Sequence, residues 1–282
     1  MTREKKGTEV AEQPGKPVTV SINGKACRAE EGEILLAVAE REKIPIPHLC
    51  FEPSLDPYGA CRLCMVGVVH HGKTSMDTAC TLRAKDGLTI LTDTPEIVKY
   101  RSVLFELYLA EAPKSAVVKE MAAQYSVTKT RFLKKIDTDD PLGGACILCG
   151  LCVRVCNELM GAGAINFINR GPYTLVNTPY TEPSRDCLGC GACAAICPTH
   201  AVRLEDRNGE RVLHSWSKTK VPLSQCVSCG NYFAPAALEK SVLSRIEPPL
   251  RDDLEGLCPA CRAKKLARNE ILAATGGDIS NA

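Results

Sequence analysis

Cysteine spacing constrains this chain more than any other feature. Seventeen cysteines occur in 282 residues, and sixteen of them fall into four sets of four. Cysteines two residues apart are poorly placed to bridge each other but well placed to chelate a shared centre. The spacing therefore predicts a metal-loaded protein rather than a disulfide scaffold. The opening MTREKKGTEVAEQPGK lacks the apolar stretch of a secretory signal. No window approaches the run of about 18 apolar residues that a membrane span requires. A cytoplasmic protein with no direct membrane span is the expectation.

Composition narrows the partners. Lys plus Arg is 35 and Asp plus Glu is 33, a formal charge of +2, and aromatic residues are 5%. Neither a basic face nor a base-stacking surface follows, so no nucleic-acid partner is expected. Metal lowers the charge further. A centre held by four thiolates carries about −2, so four of them would bring the total to about −6.

Residues 1–16 are polar and read as a flexible N-terminus. Val18–Ile22 alternates as a strand does, Asn23-Gly24 is a hairpin turn signal, and Cys27–Ala29 reads as the returning strand. Glu31–Glu42 reads as a helix with Ile34, Leu35, Val38 and Ala39 on one apolar stripe, stopped by Pro45 and Pro47. Cys50, Cys61, Cys64 and Cys80 follow, with gaps of ten, two and fifteen residues. Four thiolates with one tight pair can hold two irons; a structural zinc in a loop-rich domain is the alternative. Gly59 precedes Cys61, where close backbone approach to a centre favours a residue without a side chain. Cys64–Val69 reads as a strand returning to the sheet. His48, His70 and His71 are expected to be bystanders, and Cys27 a buried, inert thiol.

Thr94-Pro95-Glu96 is a helix start, with apolar residues at helical spacing from Val98 to Leu109, and Val117–Tyr125 reads as a second helix. No cysteine occurs between Cys80 and Cys146.

Cys146, Cys149, Cys152 and Cys156 form C-x2-C-x2-C-x3-C, and Cys187, Cys190, Cys193 and Cys197 repeat it, followed by Pro198. Two such runs in one domain hold two cubanes, each taking its fourth ligand from the other run. Cys146, Cys149, Cys152 and Cys197 are then one set, and Cys187, Cys190, Cys193 and Cys156 the other. Paired zinc knuckles are the bland alternative. Ala164–Phe167 and Ala201–Leu204 look like short strands, one after each run, so the domain reads as a doubled loop–helix–strand unit with an insert at 168–186. Arg154 either counters cluster charge or is solvated.

Cys226-x2-Cys229 and Cys258-x2-Cys261 are two further knuckles, 28 residues apart. Facing each other, they make a four-sulfur site for zinc, a single iron or a third cubane. Pro235–Ile246 reads as a short helix between them, and Ala263–Ala274 as a last helix stopping at Gly276-Gly277.

IPIPHLC, GACRLCMV and then Cys80 resemble the plant-type ferredoxin domain at the front of the complex I large iron–sulfur subunit. Similar domains occur in iron-only hydrogenases and in the small diaphorase subunit of NAD-reducing hydrogenases. CILCGLCVRVCNE is similar to the corresponding later part of the same proteins. The knuckled tail is similar to one in iron–sulfur subunits of formate- and hydrogen-metabolising complexes. The resemblance implies an α+β chain: a plant-type [2Fe–2S] ferredoxin domain of β-grasp type at 17–92, a helical bridge at 93–140, a bacterial-type two-cubane ferredoxin domain at 141–210 and a small metal-knuckle domain at 211–282. In that family the bridge commonly carries one histidine and three cysteines for another cubane, with the histidine before a proline. Here that place is Ala112-Pro113, so that cluster is expected to be missing.

No G-x-G-x-x-G follows a strand, and no nucleophile–histidine–acid set stands out. The expectation is a non-catalytic electron-transfer subunit of a hetero-oligomer. It would sit between a flavoprotein NAD(P)-binding subunit and a hydrogenase, a formate dehydrogenase or another redox subunit. The alternative is a structural or nucleic-acid-binding module in which metal serves only as staples.

Overall fold

Val18, Val20 and Ile22 alternate with polar neighbours, and strand β1 (Pro17–Ile22) turns this face into a core. The computed structural model describes residues 15–133 and 140–274, with side chains through residue 268, and the chain divides into two compact units at Leu133. In the first unit, Asn23 and Gly24 both take positive φ, the two-residue turn whose twist matches the flanking strands. It feeds β2 (Lys25–Glu30), antiparallel to β1. Residues 1–14 of the expected N-terminal tail lie outside the described residues; Gly15 and Lys16 are tied to the end of β2, through Glu30 Oε2 (3.1 Å) and Glu31 N–H (2.9 Å).

Helix α1 spans Leu35–Arg41, four residues shorter at its start than the periodicity suggests. Gly32 at φ +86° breaks the helix there, and the Glu33 carboxylate accepts from Glu30 N–H instead of joining a helical turn. Leu35, Leu36, Val38 and Ala39 are buried against the sheet, while Ile34 bridges to Arg83. Strands β3 (Met65–His70), β4 (Lys73–Thr78) and β5 (Thr89–Leu91) complete a sheet ordered β2-β1-β5-β3-β4, with β1 and β5 parallel. Helix α2 (Pro95–Glu111) is capped by Thr94 Oγ1 on Ile97 N–H and lies against β3. A Cβ on Gly67 would meet Thr74 at 2.9 Å and Ile97 at 3.5 Å, so this strand residue has to be bare. Helix α3 (Ala116–Gln124) folds back on α2, with Phe105 and Tyr125 rings 5.0 Å apart.

The second unit opens with the doubled element. Helices α4 (Leu151–Arg154) and α5 (Ala192–Ala195) each start from a left-handed glycine, Gly150 at φ +80° and Gly191 at φ +78°. Helix α4 continues as one wider π turn, Val155–Leu159. The strand after the first run is Asn166–Ile168 (β6), paired with Leu175–Asn177 (β7) from the insert. The strand after the second run begins only at Leu204. It is β8 (Leu204–Arg207), the edge of an antiparallel sheet with β9 (Glu210–Leu213), β10 (Thr219–Gln225) and β11 (Tyr232–Pro235). Both strand pieces thus start about two to three residues later than their alternation suggests, because pairing partners and not side-chain pattern set the boundary. Helix α6 covers Ala236–Leu243, shorter than Pro235–Ile246 at both ends, since Pro235 still belongs to β11. Helix α7 runs Pro259–Ala274 and begins four residues before Ala263, with proline at its first turn. The expected stop at Gly276-Gly277 lies outside the described residues. The core of this unit gathers Trp216, Leu213, Val176, Ile165 and Val221 around the cysteines.

Candidate metal and cluster sites

In the first unit the loop after α1 carries Cys50 and Cys61, while Cys64 abuts β3 and Cys80 follows β4. All four are buried. Cys61 N–H donates to Cys50 Sγ at 3.2 Å. The thiols meet in two pairs. Cys50 hydrogen-bonds Cys61, which raises the Cys50 thiol well above its usual range and lowers Cys61 to about 6. Cys64 does the same to Cys80: the hydrogen bond raises Cys64 and lowers Cys80. Backbone N–H groups of Leu63, Leu49 and Cys50 add to the stabilisation of a Cys61 thiolate. A buried nest grouped two and two, lined by amide donors, suits a centre of two irons.

The frame around this nest is tied by buried hydrogen bonds. Arg101 of α2 is fully buried, and its Nε and Nη2 donate to the carbonyls of Leu63 (3.0 Å) and Met65 (2.7 Å). Its Nη1 reaches Tyr125 Oη (3.3 Å) and Asp93 Oδ1 (3.4 Å). Tyr108 Oη donates to the Cys61 carbonyl at 2.9 Å. Gly59 sits at φ +66°, and a Cβ there would touch Thr81 at 3.4 Å. His48 bonds the Ile46 carbonyl and Glu40, and His70 and His71 lie at the β3–β4 turn. Cys27 lies in β2, where burial pushes its thiol up.

The second unit contains two small cysteine-lined hollows. Cys146, Cys149, Cys152 and Cys197 surround the first. Cys156, Cys187, Cys190 and Cys193 surround the second. Each hollow thus takes three cysteines from one run and the last cysteine of the other. The remaining lining is almost wholly apolar, which strengthens electrostatics there, while only Cys152 and Cys193 of the eight cysteines are fully buried. Burial pushes the Cys146 thiol to about 12 and Cys152 higher still, and raises Cys187. Cys193 is pushed up to about 11 by burial, against the opposing hydrogen bond from Trp216.

Donors to sulfur repeat between the halves. Leu148 N–H reaches Cys146 Sγ at 3.3 Å, and Gly189 N–H reaches Cys187 Sγ at 3.4 Å. Trp216 breaks the symmetry, because its Nε1–H donates to Cys193 Sγ at 3.3 Å and the chain has no other tryptophan. Arg211 holds the second loop from outside, donating to the Gly189 carbonyl (2.8 Å) while paired with Asp206 (2.7 Å). Arg154 is engaged with Glu158 one turn on.

At the end of the unit, Cys226, Cys229, Cys258 and Cys261 come together with all four Sγ atoms within 4.8 Å of one another. Cys258 N–H donates to Cys226 Sγ at 3.2 Å, which with the N–H groups of Cys229 and Ser228 lowers the Cys226 thiol to about 6. Cys261 is raised to about 12, first by its hydrogen bond to Cys258.

Sequence spacing does not single out Arg101, Trp216 or Arg211. Arg101 carried a usable signal, lying four residues from both Ile97 and Phe105 on the buried stripe of α2. Trp216 carried another, as a lone tryptophan beside a cysteine-rich core. Among the described residues no helix is long and apolar enough to cross a membrane.

Fold and sites together define an iron–sulfur protein built from ferredoxin-type domains. Residues 15–95 match the 2Fe-2S iron–sulfur cluster binding domain, and residues 145–201 and 186–233 match the 4Fe-4S dicluster domain. The chain is homologous to a G-type subunit of the NADH-quinone oxidoreductase of Rhizobium meliloti, 31% identical over 66% of this chain and 24% of that one. It is similar to the NADPH-Fe(3+) oxidoreductase subunit alpha of Geobacter sulfurreducens, at 31% identity over 64% and 23%. The HndD subunit of the NADP-reducing hydrogenase of Solidesulfovibrio fructosivorans matches at 28% identity over 66% and 36%. A chain in the crystal structure of the NAD+-reducing [NiFe]-hydrogenase matches with a TM-score of 0.49 and 26% identity, over 57% of this chain and 75% of that one. The matches to the first two relatives span about a quarter of their length.

Proposed function

We propose that this chain is the electron-carrying subunit of an NAD(P)-linked oxidoreductase of hydrogenase or formate dehydrogenase type. It relays single electrons between a flavoprotein subunit and a second redox subunit in the cytoplasm. The observation that carries this reading is the pair of apolar hollows, each closed by cysteines from both motif runs. A metal staple needs one site; two interleaved sites in one apolar core suit passage of charge. The naming of the relatives as oxidoreductase and hydrogenase subunits supports the same reading.

Cys50 with Cys61, and Cys64 with Cys80, would each hold one iron of a [2Fe–2S] centre. Cys146, Cys149, Cys152 and Cys197 would hold one cubane, and Cys156, Cys187, Cys190 and Cys193 a second. These clusters supply one-electron chemistry when bound. The chain's own contribution is positional. Arg101 and Tyr108 fix the loop that carries Cys61 and Cys64. Amide N–H groups at Cys61, Leu148 and Gly189 point at sulfur and favour the reduced state. The apolar lining limits the polar contacts available to the thiolates. The layout would be a [2Fe–2S] domain at 17–92, a bridge at 93–140, a two-cubane domain from 141 whose sheet runs on past 210, and a four-cysteine segment in the remainder to 282.

Anaerobically purified full-length protein should contain about ten iron and about ten sulfide in these three centres. Dithionite should bleach it reversibly and give two classes of electron paramagnetic signal. NADH alone should leave it oxidised, and NADH with a catalytic amount of the flavoprotein partner should reduce it. Metal that no reductant alters would overturn the reading.

A further inference from the structure

We propose that Cys226, Cys229, Cys258 and Cys261 bind a single zinc ion through four thiolates, as a redox-silent brace, and that no cluster forms there. The sulfur spacing decides between one metal and four. All four Sγ atoms lie within 4.8 Å of one another, and those of Cys229 and Cys258 are 3.8 Å apart. A tetrahedron with Zn–S bonds of about 2.3 Å sets its sulfurs about 3.8 Å apart. In a cubane each thiolate caps a different iron, which spreads the same sulfurs to roughly 6 Å. A disulfide, with its sulfurs about 2 Å apart, is excluded by the same distance. Among the described residues this is the one group of three or more metal-type donors drawn so close.

Between single ions, a tetrathiolate site prefers zinc to ferrous iron. The exposure of the site fits an ion that does not change oxidation state. Cys229 is exposed and Cys261 half-buried, unlike the wholly buried nest of the first unit. The local core is also too small to close the segment unaided. Its buried members are Leu254 and Leu257 with two of the cysteines, and Phe233 and Leu250 pack at its edge. Small elements with so little apolar area depend on a metal for their fold.

What the ion would brace is the wall of a cluster hollow. Cys226 directly follows β10, and the knuckle leads through Gly230 into β11. Cys258 and Cys261 flank the first turn of α7. Joining them ties α7 to the β10–β11 hairpin. That hairpin supplies Val221 and Pro235, each of which a Cβ on Gly189 would meet at 3.1 Å, and Gly189 lies in the loop between Cys187 and Cys190. The zinc would therefore hold the strands behind the second hollow without taking part in redox change.

The test is metal and sulfide content of full-length protein, purified anaerobically from iron-replete cells, with and without Cys229→Ser/Cys261→Ser. The expected result is about one zinc per chain, lost in the double variant, while iron and sulfide stay as they were. Loss of about four iron and four sulfide would overturn the proposal in favour of a third cubane, and loss of about one iron without sulfide in favour of mononuclear iron. Because the double variant can disorder the segment, zinc-edge X-ray absorption on the unaltered protein is the second measurement. A shell of four sulfurs at about 2.3 Å is expected. A shell containing nitrogen or oxygen, or no bound zinc, overturns the assignment.

Discussion

Trp216 and Arg101 are single residues through which the chain acts on its proposed centres. The indole N–H of Trp216 lies 3.3 Å from Cys193 Sγ, and donors to sulfur raise a cluster's potential. Trp216→Phe keeps most of the buried ring and removes the donor. One cubane midpoint should fall and the other stay, as read by potentiometric titration with paramagnetic resonance; two unmoved midpoints would reduce the indole to packing. Arg101 is buried with two loop carbonyls as its partners. Arg101→Leu would strand both carbonyls and should cost about 3 kcal/mol, seen as a lower melting temperature and faster bleaching of the two-iron centre. Each role is only partly legible in local sequence. The carbonyl partners of Arg101 lie nearly forty residues earlier in the chain, and a charged residue within a helix looks solvated until its i±4 neighbours are weighed.

At the scale of elements, caps and turns were legible where one residue type decides the geometry. Asn23-Gly24 made the hairpin, and Thr94-Pro95 started α2, because each motif satisfies its own backbone locally. Thr94→Ala should remove the Ile97 cap at a cost of about 1 kcal/mol, measured by denaturant midpoint. Elements fixed by distant partners were misjudged. Apolar periodicity extended α1 back across Gly32, whose backbone cannot join that helix. Periodicity also began α7 at Ala263, whereas Pro259 opens it and places Cys261 in its first turn. The cysteine groups stand out in the sequence by spacing alone, and the structure places the last cysteine of each run at the hollow lined by the first three of the other run, as in two-cluster ferredoxins.

At the scale of the molecule, the two units have separate cores and should respond separately to metal loss. The first unit includes Cys64 and Cys80 in its core, but most of that core is aliphatic side chains of its sheet and helix, Val20, Ile22, Leu35 and Ile90 among them. In the second, cysteines are threaded through the core itself. Anaerobic chelation should therefore abolish the calorimetric transition of residues 140–274 and leave a second, cooperative transition from residues 15–133. A single unaltered melt would contradict this. Sequence alone indicated where cysteine sets begin and end. It did not indicate that the sheet β8–β11 runs on past residue 210, because strands on either side of that point pair through a turn at Asn208-Gly209 with little hydrophobic pattern.

The exchange of last cysteines between the two runs also bears on the order in which the protein can be made. Cys197 lines the first hollow, yet it is the final cysteine of the second run to leave the ribosome. On the proposed assignment the first set of four thiolates is complete only once Cys197 has been made, so insertion of that cluster is expected to follow synthesis of both runs.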